Sequence, residues 1–282
     1  MIYFTQAEIE HWLAEDVPYY DETTRALGIA GQLGILTIKT REDSTVLCGA
    51  EEAVRMADIL GLHVLFSHPS GYYATHGEIV LRVKGLAGAL HQWWRVAVVL
   101  LSHASGIASQ TYQLVQTVHA VKPTLHVATT RRIPPGNRKL MVKAVLTGGG
   151  LIHRLGLSES VLVFAHHRLF CPSGETMSQL VQRLRNACPE KRITIEAESA
   201  AEAIEIALAH ADGVQCDKLS ADELQELVPT LKHIKPDLLI SATGGINLSN
   251  AVQYAKSGVD MLITSSVYHA PPADFGVTMT AQ

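Results

Sequence analysis

The chain has 282 residues, 47% apolar and 18% charged, with a formal net charge of −4. This is ordinary globular composition, enough for a large core or two domains. The slight acidic balance argues against a general nucleic-acid binder, which carries a basic surplus.

The four cysteines (Cys48, Cys171, Cys188 and Cys216) are scattered with no CxxC pair, and read as reduced thiols of a cytoplasmic protein. The opening IEHWLAED is amphipathic and acidic, unlike a secretory leader. Thr5 and Glu8 have the spacing of a capping box and predict a helix ending near PYYDETT. Strand-like runs follow in GQLGILTIKT, STVLCGA, LHVLFSH and EIVLRVKG, with a helical EEAVRMADILG between the second and third. This first third reads as a small α+β unit. The run LAGALHQWWRVAVVLLSHASGIA is about as long as a membrane span, but it carries His91, Arg95 and His103. It predicts a buried helix with no membrane partner, broken near Ser105-Gly106.

From residue 125 the texture changes to short apolar runs at 125–129, 161–165, 193–197, 213–217, 238–242 and 261–265. Helical patterns separate most of them: KLMVKAVLT, MSQLVQRLRNA, SAAEAIEIALAHA, ADELQELVPTLKH and SNAVQYAKS. Repeated β-α predicts parallel strands covered by helices, in a small or open α/β barrel or, second, a doubly wound sheet. The residues after these runs are chemically mixed: Arg131 and Arg132, then His166 and His167, Glu196 and Glu198, Asp217, Thr243 to Gly245, and Ser265. Ligands of parallel α/β proteins bind at such strand ends. Polar turns end most strands in any case, which explains each end singly but not the mixture.

Arginine forks match phosphate and carboxylate oxygens, so Arg131, Arg132, Arg138 and Arg154 suit a multiply anionic substrate, a solvated loop being the plainer reading. Gly244-Gly245 opens a helix capped by Asn247 or Ser249, where backbone N–H groups can hold phosphate, and Ser265 can add a hydroxyl. Glu196 and Asp217 lie one β-α unit apart; on adjacent strand ends they suit Mg²⁺, unless they pair with the lysines and arginines. His166 and His167 are sequential, which on a strand points them to opposite faces. Neither GxxxxGK[ST] nor GxGxxG is present.

The segment TTRRIPPGNRKLMVKAVLTGGGLIHRLGLSES resembles the TRKTxPGxR…AVxxGGGxxHRxGLxD segment of quinolinate phosphoribosyltransferases. DETT resembles the family's DLTT, SGIAS its SGIAT, EAES its EVDS, CDKL its LDN strand end and ATGG its ASGG. HRLGLSESVLVFAHHRLF is closer still to the ModD branch, named for its link to molybdenum-transport genes. The resemblance covers nearly the whole chain. It implies an N-terminal α/β sandwich domain over 1–108, a six-stranded parallel α/β barrel over 109–268 and a tail at 269–282 returning to the N-terminal domain. It also implies a homodimer, phosphoribosyl pyrophosphate as donor and Mg²⁺ as cofactor. Arg131, His153 and Arg154 would then hold an acceptor carboxylate or neighbouring phosphates, with Arg132 beside them, and Arg95 would reach the partner's site. Glu196 and Asp217 would face the ribose and the metal–pyrophosphate. Thr243, Gly244, Gly245 and Ser265 would lie at the 5′-phosphate, with His269 close by.

Three departures stand out: Arg132 replaces the lysine of TRK, Phe164 replaces the lysine of the family's IKDNH, and Ser265 replaces a phosphate-loop glycine. The loss at Phe164 removes one cationic partner of a diacid. Phe164 either faces the site or belongs to the core, and alternation inside a wholly apolar run does not choose. The expected activity is transfer of phosphoribose to a nitrogen of a small anionic acceptor; the alternative is an oxyanion-binding or sensing protein without turnover. Arg95, in a mostly apolar helix, is expected to be buried and to need a partner's anionic ligand.

Overall fold

The structure, a computed structural model, describes residues 2–282 and resolves into two compact units. The first takes in the chain up to Tyr112 together with 133–149 and 268–282; the second comprises 113–132 and 150–267.

In the first unit, α1 (Gln6–Asp16) starts on the expected box: Thr5 Oγ1 accepts from the Glu8 N–H (3.2 Å) and the Glu8 carboxylate accepts from the Thr5 N–H (2.8 Å). Asp21 caps α2 (Glu22–Leu27) through the Thr24 N–H. Then come β1 (Leu33–Thr40), β2 (Thr45–Val46), α3 (Ala50–Ile59), β3 (His63–Ser67), β4 (Tyr73–Ala74) and β5 (Ile79–Leu86). The run STVLCGA is strand only at β2, because Gly49 turns the chain with φ +93 into α3.

The long helix α4 (Ala87–His119) is not broken at Ser105-Gly106. Ser105 bridges inward instead, its hydroxyl accepting from the Cys48 N–H (2.9 Å). Gly106 is required by close approach, since a Cβ there would strike the Pro271 carbonyl while Ala273 N–H donates to the Ser102 carbonyl (2.9 Å). Both residues read as helix breakers in sequence and act as packing devices in the fold. None of the helices among the described residues is long and apolar enough to cross a membrane.

The β-α pattern then appears as β6 (His126–Thr129), α5 (Arg138–Thr147), β7 (Leu151–Ile152), β8 (Val161–Val163), α6 (Ala165–Arg168), α7 (Met177–Ala187), β9 (Ile193–Ala197), α8 (Ala200–Leu208), β10 (Gly213–Asp217), α9 (Ala221–Ile234), β11 (Leu239–Thr243), α10 (Ala251–Lys256) and β12 (Met261–Thr264). A 3₁₀ turn at Ser266–His269 precedes β13 (Phe275–Ala281). In the first unit β13 pairs antiparallel with β1, giving a sheet ordered β13-β1-β5-β3. In the second, seven parallel strands are ordered β7-β6-β12-β11-β10-β9-β8. The six runs read from the sequence are six of these strands; the two-residue β7 is the addition. β7 and β8 are both edges, so the curled sheet is open.

Register divides this sheet into two faces. Ile195, Ala197, Val214, Cys216, Ile240, Ala242 and Leu262 lie on one face, all fully buried. Thr194, Glu196, Gln215, Ser241 and Thr243 lie on the other. A wholly apolar face under the helices and a polar inner face are what a curled sheet needs if a ligand is to bind inside it. All four cysteines are free thiols, and burial pushes Cys48 up to about 11 and Cys216 up to about 12.

Candidate active site

The inner face of β8, β9, β10 and β11 carries the acids. Glu196 of β9 stands opposite Gln215 of β10, and Asp217, two residues on, stands opposite Thr243 of β11. Glu196 is half-buried and accepts a hydrogen bond from Gln215 Nε2, at 2.9 Å. Burial, and next the charge of Asp217, hold its carboxyl above the usual carboxylate range, with only a partial offset from the Gln215 hydrogen bond and Lys218. Glu196, its proton affinity raised beside Asp217, forms with it a hard-oxygen donor pair whose charge a divalent cation would relieve. That donor chemistry fits Mg²⁺. No larger cluster of three or more metal-ligating side chains occurs among the described residues.

Gln215 was not singled out from the sequence, where GVQCD reads as an apolar strand. It is 5% exposed, its Nε2 orients Glu196 and its Oε1 has no hydrogen-bond partner. A lone amide in an otherwise apolar strand two residues before an acid was the available signal, because period two places both on one face. Lys218 stands with Asp217 at the end of the fourth run but was given no role of its own. Its backbone has φ +60, a conformation that costs a residue with a Cβ about 1–2 kcal/mol. Its N–H donates to the Thr243 carbonyl (2.9 Å), and its ammonium lies 3.4 Å from Asp217 Oδ2.

Basic residues collect around the end of β6 and the connection after β7. Arg131 is half-buried and Arg132 exposed, with the Arg132 N–H donating to Thr130 Oγ1 (3.3 Å). His153 donates its backbone N–H to the Thr129 carbonyl (3.0 Å), which ties the GGGLIHR segment to β6. Burial, reinforced by the Arg154 charge, pulls the His153 imidazole below its usual pKa, so the ring is neutral at pH 7. Arg154 is 8% exposed. No carboxylate lies within ion-pairing distance of it among the described residues. Burial first, and then the charge of Arg131, lower its pKa. A buried guanidinium beside a second arginine, with Glu159 only a partial offset and no acid in contact, is an arrangement that an anionic ligand stabilises.

Phe164 does not lie within a strand. β8 stops at Val163, and Phe164 is the extended residue before the short turn of α6. Leu162 pairs with Thr194, so continued alternation gives Phe164 the same face as Glu196 and Gln215. The ring is only half-buried, lies 6.0 Å from the Arg154 guanidinium carbon and stacks on His167 at 5.5 Å. The core reading is therefore set aside: Phe164 belongs to the polar face. His166 and His167 lie on helix α6 rather than a strand, and His167 Nδ1 accepts from the Phe164 N–H (2.9 Å).

At the end of β11, Gly244 and Gly245 both have positive φ, +94° and +76°. A Cβ on Gly244 would sit 2.9 Å from Asp217 Oδ1 and 2.8 Å from the Lys218 nitrogen, whereas Gly245 faces open space. One glycine thus lets β10 and β11 close up, and the other leaves room. Asn250, not Asn247 or Ser249, takes the N-cap position of the helix after this turn, without a side-chain cap bond; the three instead knot the turn, Asn250 Oδ1 accepting from the Asn247 N–H (2.8 Å) and Asn247 Oδ1 from the Ser249 N–H (2.9 Å). Thr264 Oγ1 donates to the Ile246 carbonyl (2.6 Å) and accepts from the Ser266 N–H (2.9 Å), which fixes the chain around half-buried Ser265.

Arg95, Arg138 and His269 belong to the first unit. Arg95 is exposed, not buried as expected, and lies over the Trp94 ring at 4.0 Å, because Trp93 rather than Arg95 points inward from α4. It lines a cavity of about 580 Å³ with Asp16, Asp21, Glu22 and His91. Arg138 opens α5, and His269 is exposed at the end of the 3₁₀ turn.

Comparison with known proteins places this geometry. Residues 21–105 match the N-terminal domain of quinolinate phosphoribosyl transferase, and 107–278 match its C-terminal domain. A Pasteurella multocida protein named pyrophosphorylase ModD is 34% identical over 282 residues, covering 100% of both chains. A Methanothermobacter thermautotrophicus protein named nicotinate-nucleotide pyrophosphorylase (carboxylating) is 29% identical, covering 92% of this chain and 94% of its own. The crystal structure of nicotinate-nucleotide pyrophosphorylase from Ehrlichia chaffeensis superimposes with a TM-score of 0.88 at 27% identity, covering 99% of this chain and 100% of that one.

Proposed function

The chain belongs to the quinolinate phosphoribosyltransferase family of pentosyltransferases, and we propose that it transfers phosphoribose from phosphoribosyl pyrophosphate to the ring nitrogen of a small heteroaromatic mono-acid. In this reading the C1–oxygen bond to diphosphate breaks, the acceptor nitrogen takes the carbon, and pyrophosphate leaves with the bonding electron pair. The transition state is oxocarbenium-like, so the site works by holding the two reactants together and by meeting charge where it develops. Arg154 and Arg131 bind the acceptor's carboxylate, with Arg132 at the rim. His153, neutral at pH 7, donates or accepts a hydrogen bond without adding charge. Glu196, steadied by Gln215, faces the positive ribose carbon, and its raised proton affinity falls as that carbon gains charge. Thr243, Gly244, Gly245 and Ser265 receive the 5′-phosphate. Glu196 and Asp217 would hold Mg²⁺, which would supply neutralisation of the leaving diphosphate. Arg95 and His269 take the roles that the resemblance gives them, Arg95 at the site of a second subunit.

The observation that carries the acceptor class is Phe164. It shares the face of Glu196 and lies beside Arg154, where family members that use the diacid have a lysine. A phenyl ring stacks on a flat heterocycle and cannot bind its second carboxylate. The test is steady-state turnover with phosphoribosyl pyrophosphate and a panel of mono- and di-acid heteroaromatics, in wild type and Phe164→Lys. Mono-acid turnover is expected in wild type, with poor use of quinolinate that improves in the variant. Efficient wild-type use of quinolinate overturns the reading.

A further inference from the structure

We propose that Lys218 is a binding residue of this site, its ammonium holding the diphosphate of the donor and of released pyrophosphate. The cation given up at Phe164, at the end of β8, is thereby replaced at the end of β10. The proposal rests on the donor assigned above.

Three observations carry it. First, the backbone at Lys218 has φ +60, a conformation that asparagine adopts more readily than lysine. The family's LDN strand end carries asparagine there, whereas this chain has Asp217-Lys218. A lysine in this conformation is disfavoured by the backbone itself and needs a compensating role. Second, the fold offers none. The side chain is 80% exposed and its one ion pair, to Asp217 at 3.4 Å, is a solvated contact of small worth. Third, the stem is placed at the site. A Cβ on Gly244 would lie 2.7 Å from Lys218 Cγ, so the methylenes run against the glycine turn that opens the end of β11. The ammonium then stands beside Asp217. A cation beside Asp217 is suited to the anion that departs from the ribose carbon faced by Glu196, and diphosphate is the anion this reaction releases.

The exposure of the chain supports a mobile role. The stem of a lysine can follow a diphosphate as it leaves, which a guanidinium packed against a ring does less easily.

Equilibrium titration tests this with four probes: phosphoribosyl pyrophosphate, inorganic pyrophosphate, ribose 5-phosphate and a heteroaromatic mono-acid. The proteins are wild type, Lys218→Asn and Lys218→Gly, both variants being free to keep the positive φ. Loss of about tenfold in affinity for the donor and for pyrophosphate is expected, with ribose 5-phosphate and the acid unchanged and the thermal midpoint not lowered. Lys218→Arg is expected to retain most of the affinity. Unchanged pyrophosphate binding in both variants overturns the proposal, as does a loss confined to ribose 5-phosphate or to the acid. If wild type itself binds neither donor nor pyrophosphate, it is the donor assignment that fails, and this proposal fails with it.

Discussion

A half-buried carboxyl whose proton affinity is raised destabilises the folded protein once it ionises. For Glu196 the causes are burial and the neighbouring Asp217. The folded state binds more protons than the unfolded one between the ordinary carboxylate pKa and the raised value, so stability falls as pH rises through that window. Glu196→Gln is therefore expected to raise the thermal midpoint at pH 7 and to flatten its decline above about pH 4.5, while turnover drops by about a hundredfold or more. Midpoints measured from pH 4 to 8 check it, and a lower midpoint at neutral pH would contradict it. Arg154 is the converse case, a buried cation waiting for an anion. Arg154→Ala is expected to weaken acceptor binding about tenfold or more, as for loss of one charge-assisted hydrogen bond of about 1.5–3 kcal/mol, without unfolding the protein. Titration with the acid reads it. The identity of these residues was legible because the chemistry is carried by residue type: arginines after one strand, acids after two more. Gln215 and Lys218 were not legible, because their roles come from a strand register and a backbone conformation.

At the scale of elements, α3 and α5 of the first unit are joined by a buried ion triad. Lys143 Nζ lies 2.7 Å from Glu51 Oε2 and 2.5 Å from Glu52 Oε2, with Lys143 and Glu52 both nearly inaccessible. Burial alone would lower the Lys143 pKa, but the two carboxylates outweigh it and raise it. Lys143→Met leaves Glu52 buried without a counter-charge, and a loss of about 3–5 kcal/mol in unfolding free energy is expected from urea denaturation. A change below 1 kcal/mol would mean that Glu52 escapes to water. The helix spacing of KLMVKAVLT was visible in sequence, but a lysine on its inner face was not separable from one at the edge. Likewise Ser105-Gly106 has the composition of a helix break, and only the distant segment 271–273 explains why the helix continues.

For the whole molecule, the alternation of apolar runs and helical stretches made the parallel sheet legible, since each strand must be buried on one face and each helix must cover it. The edge strands were harder: β7 has two residues and too little pattern to see, and β13 pairs with a strand from the other end of the chain. Subunit sharing, proposed from Arg95, is testable by mixing. Arg95→Ala and Glu196→Gln proteins are each expected to be inactive, whereas an equimolar mixture regains about a quarter of wild-type activity if a statistical half of the dimers are mixed and one of their two sites is intact. A mixture no more active than its parts would show that Arg95 serves its own chain or none.

The pairing of β13 with β1 also sets an order of events during synthesis. The first unit's sheet acquires its strand β13 only after the ribosome has made the whole of the second unit. Until then β1 offers an open row of backbone groups, the kind of edge on which chains associate. The second unit, whose strands all lie within one stretch between residues 113 and 267, meets no such delay. A released chain ending before Phe275 is therefore expected to carry a folded second unit and an unfinished first one, and to associate through β1.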